Sequence, residues 1–171
     1  MILCDWEIRN LCEGAAMVQG HHPDLINPAS LDVRLGDRLQ VEQRFSRQMR
    51  TIDISRHTAQ HPYWLKPGQF VLAETREVFN LPDSIAAQFV LKSSRAREGI
   101  EHLLAGYCDP GWNGSVLTME LHNSRRLHAV PLWPGLAIGQ MVFHRMSSRP
   151  LESYAKVGRY NGDRQVTASK G

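Results

Sequence analysis

Glu120 is the residue whose surroundings most clearly indicate proton-transfer chemistry. It lies among Leu117, Met119 and Leu121 in a stretch predicted to form a strand. A carboxylate that faces a closed apolar pocket holds a proton more readily than one in water, so it can accept and return a proton near neutral pH. A solvent-facing strand glutamate is the commoner origin of this pattern. Glu120 is therefore a candidate general base whose orientation stays open.

A short segment rich in serine and basic residues could bind an anion. Ser93 and Ser94 can cap a helix that Gly99 closes, which places Ser93 and Arg97 on one helical face. The N-terminus of a helix offers free N–H groups and partial positive charge to a phosphate, and Lys92 adds a full charge. A serine-capped surface helix with solvated arginines would explain the same residues.

Several common catalytic signatures are missing from the sequence. It contains no Gly-Lys-Ser/Thr phosphate loop, no GxGxxG and no HExxH. The HxE and PCxxC signature of the zinc-dependent deaminases is missing as well. If this chain deaminates a base, its chemical step is therefore expected to use no zinc.

Short strands are expected to position these residues. Alternating apolar residues at 31–35 predict a strand that turns at Gly36-Asp37, and Asp5 is predicted to cap a helix that ends at Gly14. Many short strands separated by turns favour a β-barrel or sandwich. The other predicted strands cover residues 69–73, 86–91, 115–122, 128–131 and 137–143.

Composition indicates a single globular domain covering residues 1–171. The chain is 42% hydrophobic and 22% charged, as is usual for such a domain. Its 20 basic and 17 acidic residues are scattered, which argues against a nucleic-acid partner and suits a small anionic ligand. No secretory signal and no membrane-length apolar run is evident, so a cytoplasmic location without membrane contact is expected. Three widely spaced cysteines argue against a disulfide framework.

Five segments occur in the order and approximate spacing of one enzyme family. They resemble the dCTP deaminase family over almost the whole chain, and a tail of the Arg159-Tyr160-Asn161-Gly162 type follows them. The resemblance implies an all-β protein with short helices, a dUTPase-like distorted β-barrel, and a homotrimer with active sites between subunits. The segments are PASLDVRLG (28–36), LKSSRAREG (91–99), AGYCDPGW (105–112), MELHN (119–123) and PGLAIGQ (134–140).

The resemblance assigns roles in catalysis and phosphate binding. Glu120 is expected to take a proton from the water that attacks C4 of cytosine and to protonate the leaving amine. Ser93 and Arg97 match residues that hold this water and stabilise charge near the reacting carbon. Lys92 and Ser94 match phosphate contacts.

The resemblance also predicts contacts with the base and the sugar. The backbone near His102 and Ala105 is expected to read the cytosine edge, although a structural histidine would explain His102 equally well. Asp109 is expected to meet the sugar 3′-hydroxyl, and Trp112 is expected to crowd a 2′-hydroxyl. Similar dUTPases use an aspartate in this motif to orient the water that attacks the α-phosphate, so Asp109 leaves a diphosphatase reaction open.

The tail, residues 154–171, is expected to close as a lid over the nucleotide. Arg159 and Tyr160 match the basic residue and the tyrosine of the family's tail. Asp163 stands where a glutamine is expected, and Gln165 follows two residues later. An acid beside a triphosphate is unfavourable unless magnesium intervenes, which leaves the register of the tail open.

The spacing of the motifs departs from the usual family pattern. Asp109 and Glu120 are one residue further apart than expected, and Arg97 and Asp109 are one residue closer. A one-residue shift in a strand reverses the face that a side chain uses. Either a β-bulge absorbs the difference or the site is remodelled.

The expected reaction is hydrolysis of dCTP to dUTP and ammonia, which supplies dUMP and dTTP biosynthesis. Magnesium is expected only through the triphosphate, with no protein side chain as its ligand, and dTTP is a candidate feedback inhibitor. A bifunctional enzyme that continues to dUMP and pyrophosphate is the first alternative. A plain dUTPase is less favoured because it has no need of Glu120 for deamination. A catalytically inactive nucleotide-binding regulator is the remaining alternative.

Overall fold

β-strands are the main regular secondary structure of the computed structural model, which describes residues 1–171. The helices are α1 (Asp5–Ala15), α2 (Ser93–Arg97), α3 (Tyr154–Val157) and a 3-10 turn at Pro23–Leu25. The strands are β1 (Val18–Gln19), β2 (Ile26–Asn27), β3 (Ser30–Gln43), β4 (Ser46–Asp53), β5 (Tyr63–Leu65), β6 (Phe70–Thr75), β7 (Val78–Asn80), β8 (Ile85–Leu91), β9 (Ile100–His102), β10 (Tyr107–Cys108), β11 (Asn113–Ser115), β12 (Thr118–Asn123), β13 (Val130–Leu132) and β14 (Ala137–Arg145).

A nine-stranded antiparallel sheet forms the scaffold. Its strand order is β10-β8-β14-β3-β6-β12-β9, and β2 and β4 also pair with β3. The pairing of β3 with β6 shifts register between Leu35 and Leu39, a bulge that bends this long strand. The three-stranded sheet β1-β7-β11 and the pair β5-β13 complete the fold. The prediction of an all-β protein with short helices is confirmed.

The predicted turn at Gly36-Asp37 is wrong, because β3 continues through these residues to Gln43. Gly36 serves close packing instead: a Cβ atom there would lie 2.5 Å from Cγ of Glu74 on β6. The expected alternation of the strand also fails, since Asp32 is buried together with its apolar neighbours. The middle position of β3 in the sheet explains both differences.

The predicted helix caps are also wrong. Cys4, not Asp5, is the N-cap of α1, and its backbone N–H donates to Oε2 of Glu7 at 3.1 Å. Lys92 is the N-cap of α2, so Ser93 is already the first helical residue and no side chain caps the helix. Helices α1 and α2 themselves occur where the sequence predicts them, whereas α3 in the tail and the 3-10 turn were not predicted.

One cluster of 31 buried residues forms the hydrophobic core. Phe79 in this cluster stacks on Trp112 with ring centroids 5.4 Å apart, which ties the 105–112 segment to the core. All three cysteines are free, and Cys12 and Cys108 are buried. None of the helices is long and apolar enough to cross a membrane.

Candidate active site

A cavity of about 1010 Å³ opens between β12, the 105–112 segment, β4 and the C-terminal tail. It has the size of an ordinary small-molecule site and is lined by apolar and polar side chains. The predicted site residues that line it are Ala105, Asp109, Trp112, Glu120 and Tyr160. The fold therefore brings together residues that lie up to 55 positions apart in the sequence.

Strand β12 directs Glu120 into this cavity. Met119 and Leu121 are fully buried in the core, and the pleat of the strand turns Glu120 to the opposite face. A quarter of the Glu120 side chain remains exposed. A carboxylate in this position can reach a ligand while its apolar neighbours hold the strand.

His102 lies behind Glu120, on the neighbouring strand β9. Its side chain is 3% exposed, and its Nε2 lies 3.3 Å from Oε2 of Glu120. Neither atom has a hydrogen-bond partner, and both are shielded from solvent. The ring of His102 tilts against Phe89 with centroids 4.7 Å apart.

Asp109 and Trp112 flank a tight turn at the cavity wall. The side chain of Asp109 is exposed and lines the cavity. Trp112 is 5% exposed, and its Nε1 donates to the carbonyl of Tyr160 at 3.0 Å. The indole N–H is therefore bonded to the tail and does not donate to a ligand. Trp112 can instead restrict a ligand sterically.

Cys108 also lines the cavity, but it is a poor nucleophile. Burial raises the pKa of its thiol to about 12, and the nearby charge of Asp109 adds to this effect. The thiolate, which is the reactive form of cysteine, is therefore scarce at neutral pH.

The tail lies over the cavity of the same chain and is anchored by buried contacts. Val166 is 3% exposed, and its N–H donates to Oε2 of Glu74 at 2.7 Å. The N–H of Thr167 donates to Oγ1 of Thr118 at 3.2 Å, next to Glu120 on β12. Through these contacts, residues 167–169 reach the cavity wall.

The tail residues expected at the nucleotide lie in different environments. Asp163 lines the cavity, and both of its carboxylate oxygens accept from Nζ of Lys170 at 2.8 Å. Arg159 and Gln165 are exposed and lie outside the cavity. The pairing with Lys170 balances the negative charge that makes Asp163 unexpected at a phosphate site.

Helix α2 does not meet Glu120 within one chain. Ser93, Ser94 and Arg97 are exposed and lie outside the cavity. Lys92 forms an ion pair with Asp32 of β3. A single chain therefore assembles only part of the predicted site.

Strand β4 contributes cavity residues that the sequence did not predict. Arg47, Gln48 and Met49 line the cavity opposite β12. This strand is polar and exposed along most of its length, so it lacks the apolar alternation that marks a buried strand. It follows β3 through a two-residue connection at Arg44-Phe45, and neither residue is typical of turns, so the sequence carries no signal for this strand.

Comparison with known proteins identifies the family of this chain. The family profile described as dCTP deaminase-like matches residues 2–146. The chain belongs to this dCTP deaminase-like family. Relatives from Methanosphaerula palustris and Kocuria rhizophila, both named "dCTP deaminase, dUMP-forming", are each 38% identical to it. The alignments cover 99% of this chain and 95% and 94% of those relatives, so they include the tail.

A solved structure supports the fold of this family member. The 2′-deoxycytidine 5′-triphosphate deaminase from Agrobacterium tumefaciens superposes with a TM-score of 0.69 at 24% identity. The match covers 85% of this chain and 48% of that chain. The fold expected from the resemblance is confirmed.

Proposed function

We propose that the protein converts dCTP to dUMP in two hydrolytic steps that release ammonia and then pyrophosphate. The observation that carries this proposal is that Glu120 and Asp109 face one cavity, where one carboxylate can serve each step. The full-length relatives named as dUMP-forming favour this bifunctional reaction over release of dUTP.

Glu120 acts as the base in the first step. It removes a proton from a water molecule while the water oxygen bonds to C4 of cytosine, and it then protonates the leaving amine. The products are dUTP and ammonia. A quarter of the Glu120 side chain is exposed to the cavity, so the same carboxylate can contact both the attacking water and the leaving amine.

Asp109 binds the sugar and orients the water of the second step. Its carboxylate accepts a hydrogen bond from the 3′-hydroxyl and orients a second water toward the α-phosphate of dUTP, which gives dUMP and pyrophosphate. Trp112, held by Phe79 and the tail, crowds the position of a 2′-hydroxyl. The backbone at His102 and Ala105 reads the cytosine edge.

A homotrimer completes the site in this proposal. A neighbouring copy supplies Ser93 and Arg97 to the water, and Lys92 and Ser94 to the phosphates. Exposed apolar side chains on β8 and in the 103–107 segment suit such an assembly, since monomers rarely expose large apolar patches. They are Val90, Leu103, Leu104 and Tyr107, and Leu104 is 91% exposed.

Magnesium enters this scheme as a complex with the triphosphate, where it neutralises part of the phosphate charge. Lys170 already binds both oxygens of Asp163, so this carboxylate does not compete for the ion. Arg159, Tyr160 and Gln165 belong to the lid that closes over the phosphates.

The test follows ammonia, pyrophosphate and the nucleotide products after addition of dCTP and Mg²⁺. The wild-type protein is expected to release ammonia and pyrophosphate in equal amounts with dUMP. Glu120→Gln is expected to lower ammonia release about 100- to 10,000-fold, the usual contribution of a general base. Glu101→Gln is the matched control, since Glu101 lies on β9 with a side chain that is 60% exposed.

A second assay begins with dUTP and isolates the diphosphatase step. Asp109→Asn is expected to abolish dUMP formation there, whereas Glu120→Gln retains it. Accumulation of dUTP without pyrophosphate would favour the dUTP-releasing enzyme instead. Binding of dCTP without turnover by the wild-type protein would favour the regulator. The same assay with added dTTP tests feedback inhibition.

A further inference from the structure

The buried contact between His102 and Glu120 is not used by the reaction as proposed so far. Nε2 of His102 and Oε2 of Glu120 lie 3.3 Å apart, and both are sealed from solvent without a hydrogen-bond partner. Two unpaired buried polar atoms are costly, and they face each other. Catalytic hydrogen bonds in ligand-free structures are often misaligned and tighten when substrate binds.

We propose that the side chain of His102 is a positioning residue that donates a hydrogen bond from Nε2 to Oε2 of Glu120. The inference rests on the proposed function and deepens it. A carboxylate can only accept, so the nitrogen that faces it must carry the proton. Oε2 is then fixed, and Oε1 remains as the oxygen that exchanges protons with water and amine.

Packing around His102 suits this role. The imidazole lies between the Glu120 carboxylate and the ring of Phe89. Gly106 leaves room on the same side, because a Cβ atom there would lie 2.6 Å from Cβ of Phe89 and 3.4 Å from Cε1 of His102. The contact with Phe89 and the glycine at position 106 let the ring pack closely behind Glu120, which suits a residue that orients a general base.

Other charged groups are placed differently around the pair. Arg47, Asp109 and Asp163 also line the cavity, and Asp163 is held by Lys170. Glu101 and His122, the neighbours of the pair on β9 and β12, lie 3.8 Å from each other and do not line the cavity. His102 is therefore the residue placed to hold the sealed oxygen of Glu120.

The test compares His102→Leu, which removes the donor, with His102→Gln, whose amide can replace it. His102→Leu is expected to lower kcat for ammonia release roughly 10- to 100-fold, the effect of losing a hydrogen bond to a charged group. KM for dCTP stays within about threefold, because this contact does not touch the substrate. His102→Gln restores most of the loss, and the control His122→Leu stays close to wild type.

Three outcomes would overturn the proposal: an unchanged kcat in His102→Leu, a raised KM at constant kcat, or equal losses in the Leu and Gln variants. The second outcome would assign the side chain to substrate binding, and the third would assign it to packing. A readout without turnover separates this proposal from the proposed function. Nitrogen-15 NMR of the imidazole is expected to show a proton on Nε2 of His102, and an Nε2 without a proton would refute the hydrogen bond.

Discussion

Val166→Ala tests whether burial of the Val166 side chain anchors the tail to the rest of the protein. Val166 is 3% exposed, and the substitution removes two buried methyl groups. At about 0.8 kcal/mol per buried methylene-sized group, the closed tail loses about 1.6 kcal/mol. Since 1.4 kcal/mol corresponds to a factor of ten, the tail is expected to open roughly 15-fold more often.

Hydrogen exchange of the tail amides measures this opening. The N–H groups of Val166 and Thr167 are bonded to Glu74 and Thr118, so their protection should fall by about the same factor while β14 stays protected. Val157→Ala is the matched control, because it removes the same two methyl groups from a residue that is 60% exposed. Equal loss in the tail and in β14 would mean that the tail opens only with global unfolding. If Val166→Ala leaves the hydrogen-exchange protection of the tail amides unchanged, burial of Val166 does not anchor the tail.

Two further predictions concern stability. Burial raises the pKa of Glu74 above its ordinary 4.5, against the opposing effects of the Val166 N–H and Arg38. The protonated carboxyl is therefore favoured by folding, and this stabilisation is lost as pH rises through the folded-state pKa. Glu74→Gln should match wild type in melting temperature near pH 4 and exceed it increasingly toward pH 7; a pH-independent difference would contradict the titration. Gly139→Ala places a Cβ 2.2 Å from ring atoms of Phe89, so denaturant unfolding should show a loss of about 1–3 kcal/mol, and a neutral result would refute the overlap.

The sequence predicted those strands best whose side chains alternate against the core. Strands β8 and β14 lie within two residues of their predicted bounds, because their apolar residues meet the buried face of the sheet. Strand β4 was not predicted because it is mostly exposed, and an exposed strand needs no alternating apolar residues. The long path of β3 depends on partners on both sides, which local periodicity does not encode.

The candidate site was predictable where each chemical group lies within a short sequence motif of its own. Asp109 and Glu120 were both identified from the sequence, and they line one cavity. Other contacts of the tail were not predictable, because its sequence has no periodic pattern. They are the ion pair of Asp163 with Lys170 and the buried position of Val166. The separation of α2 from Glu120 was likewise not predictable, since strand patterns do not give distances between elements.

Asp109 and Glu120, which are one residue further apart than the resemblance predicts, are separated by a β-bulge. In the pairing of β11 with β7, Asn113 faces Asn80 and Ser115 faces Phe79, so Gly114 is an inserted residue, a β-bulge. Its φ of +64° lies in the region that glycine adopts without strain. An insertion in a regular strand would exchange the two faces and turn Glu120 into the core. The bulge gives the segment a place for such an extra residue before β12 begins, and Asp109 and Glu120 both line the cavity.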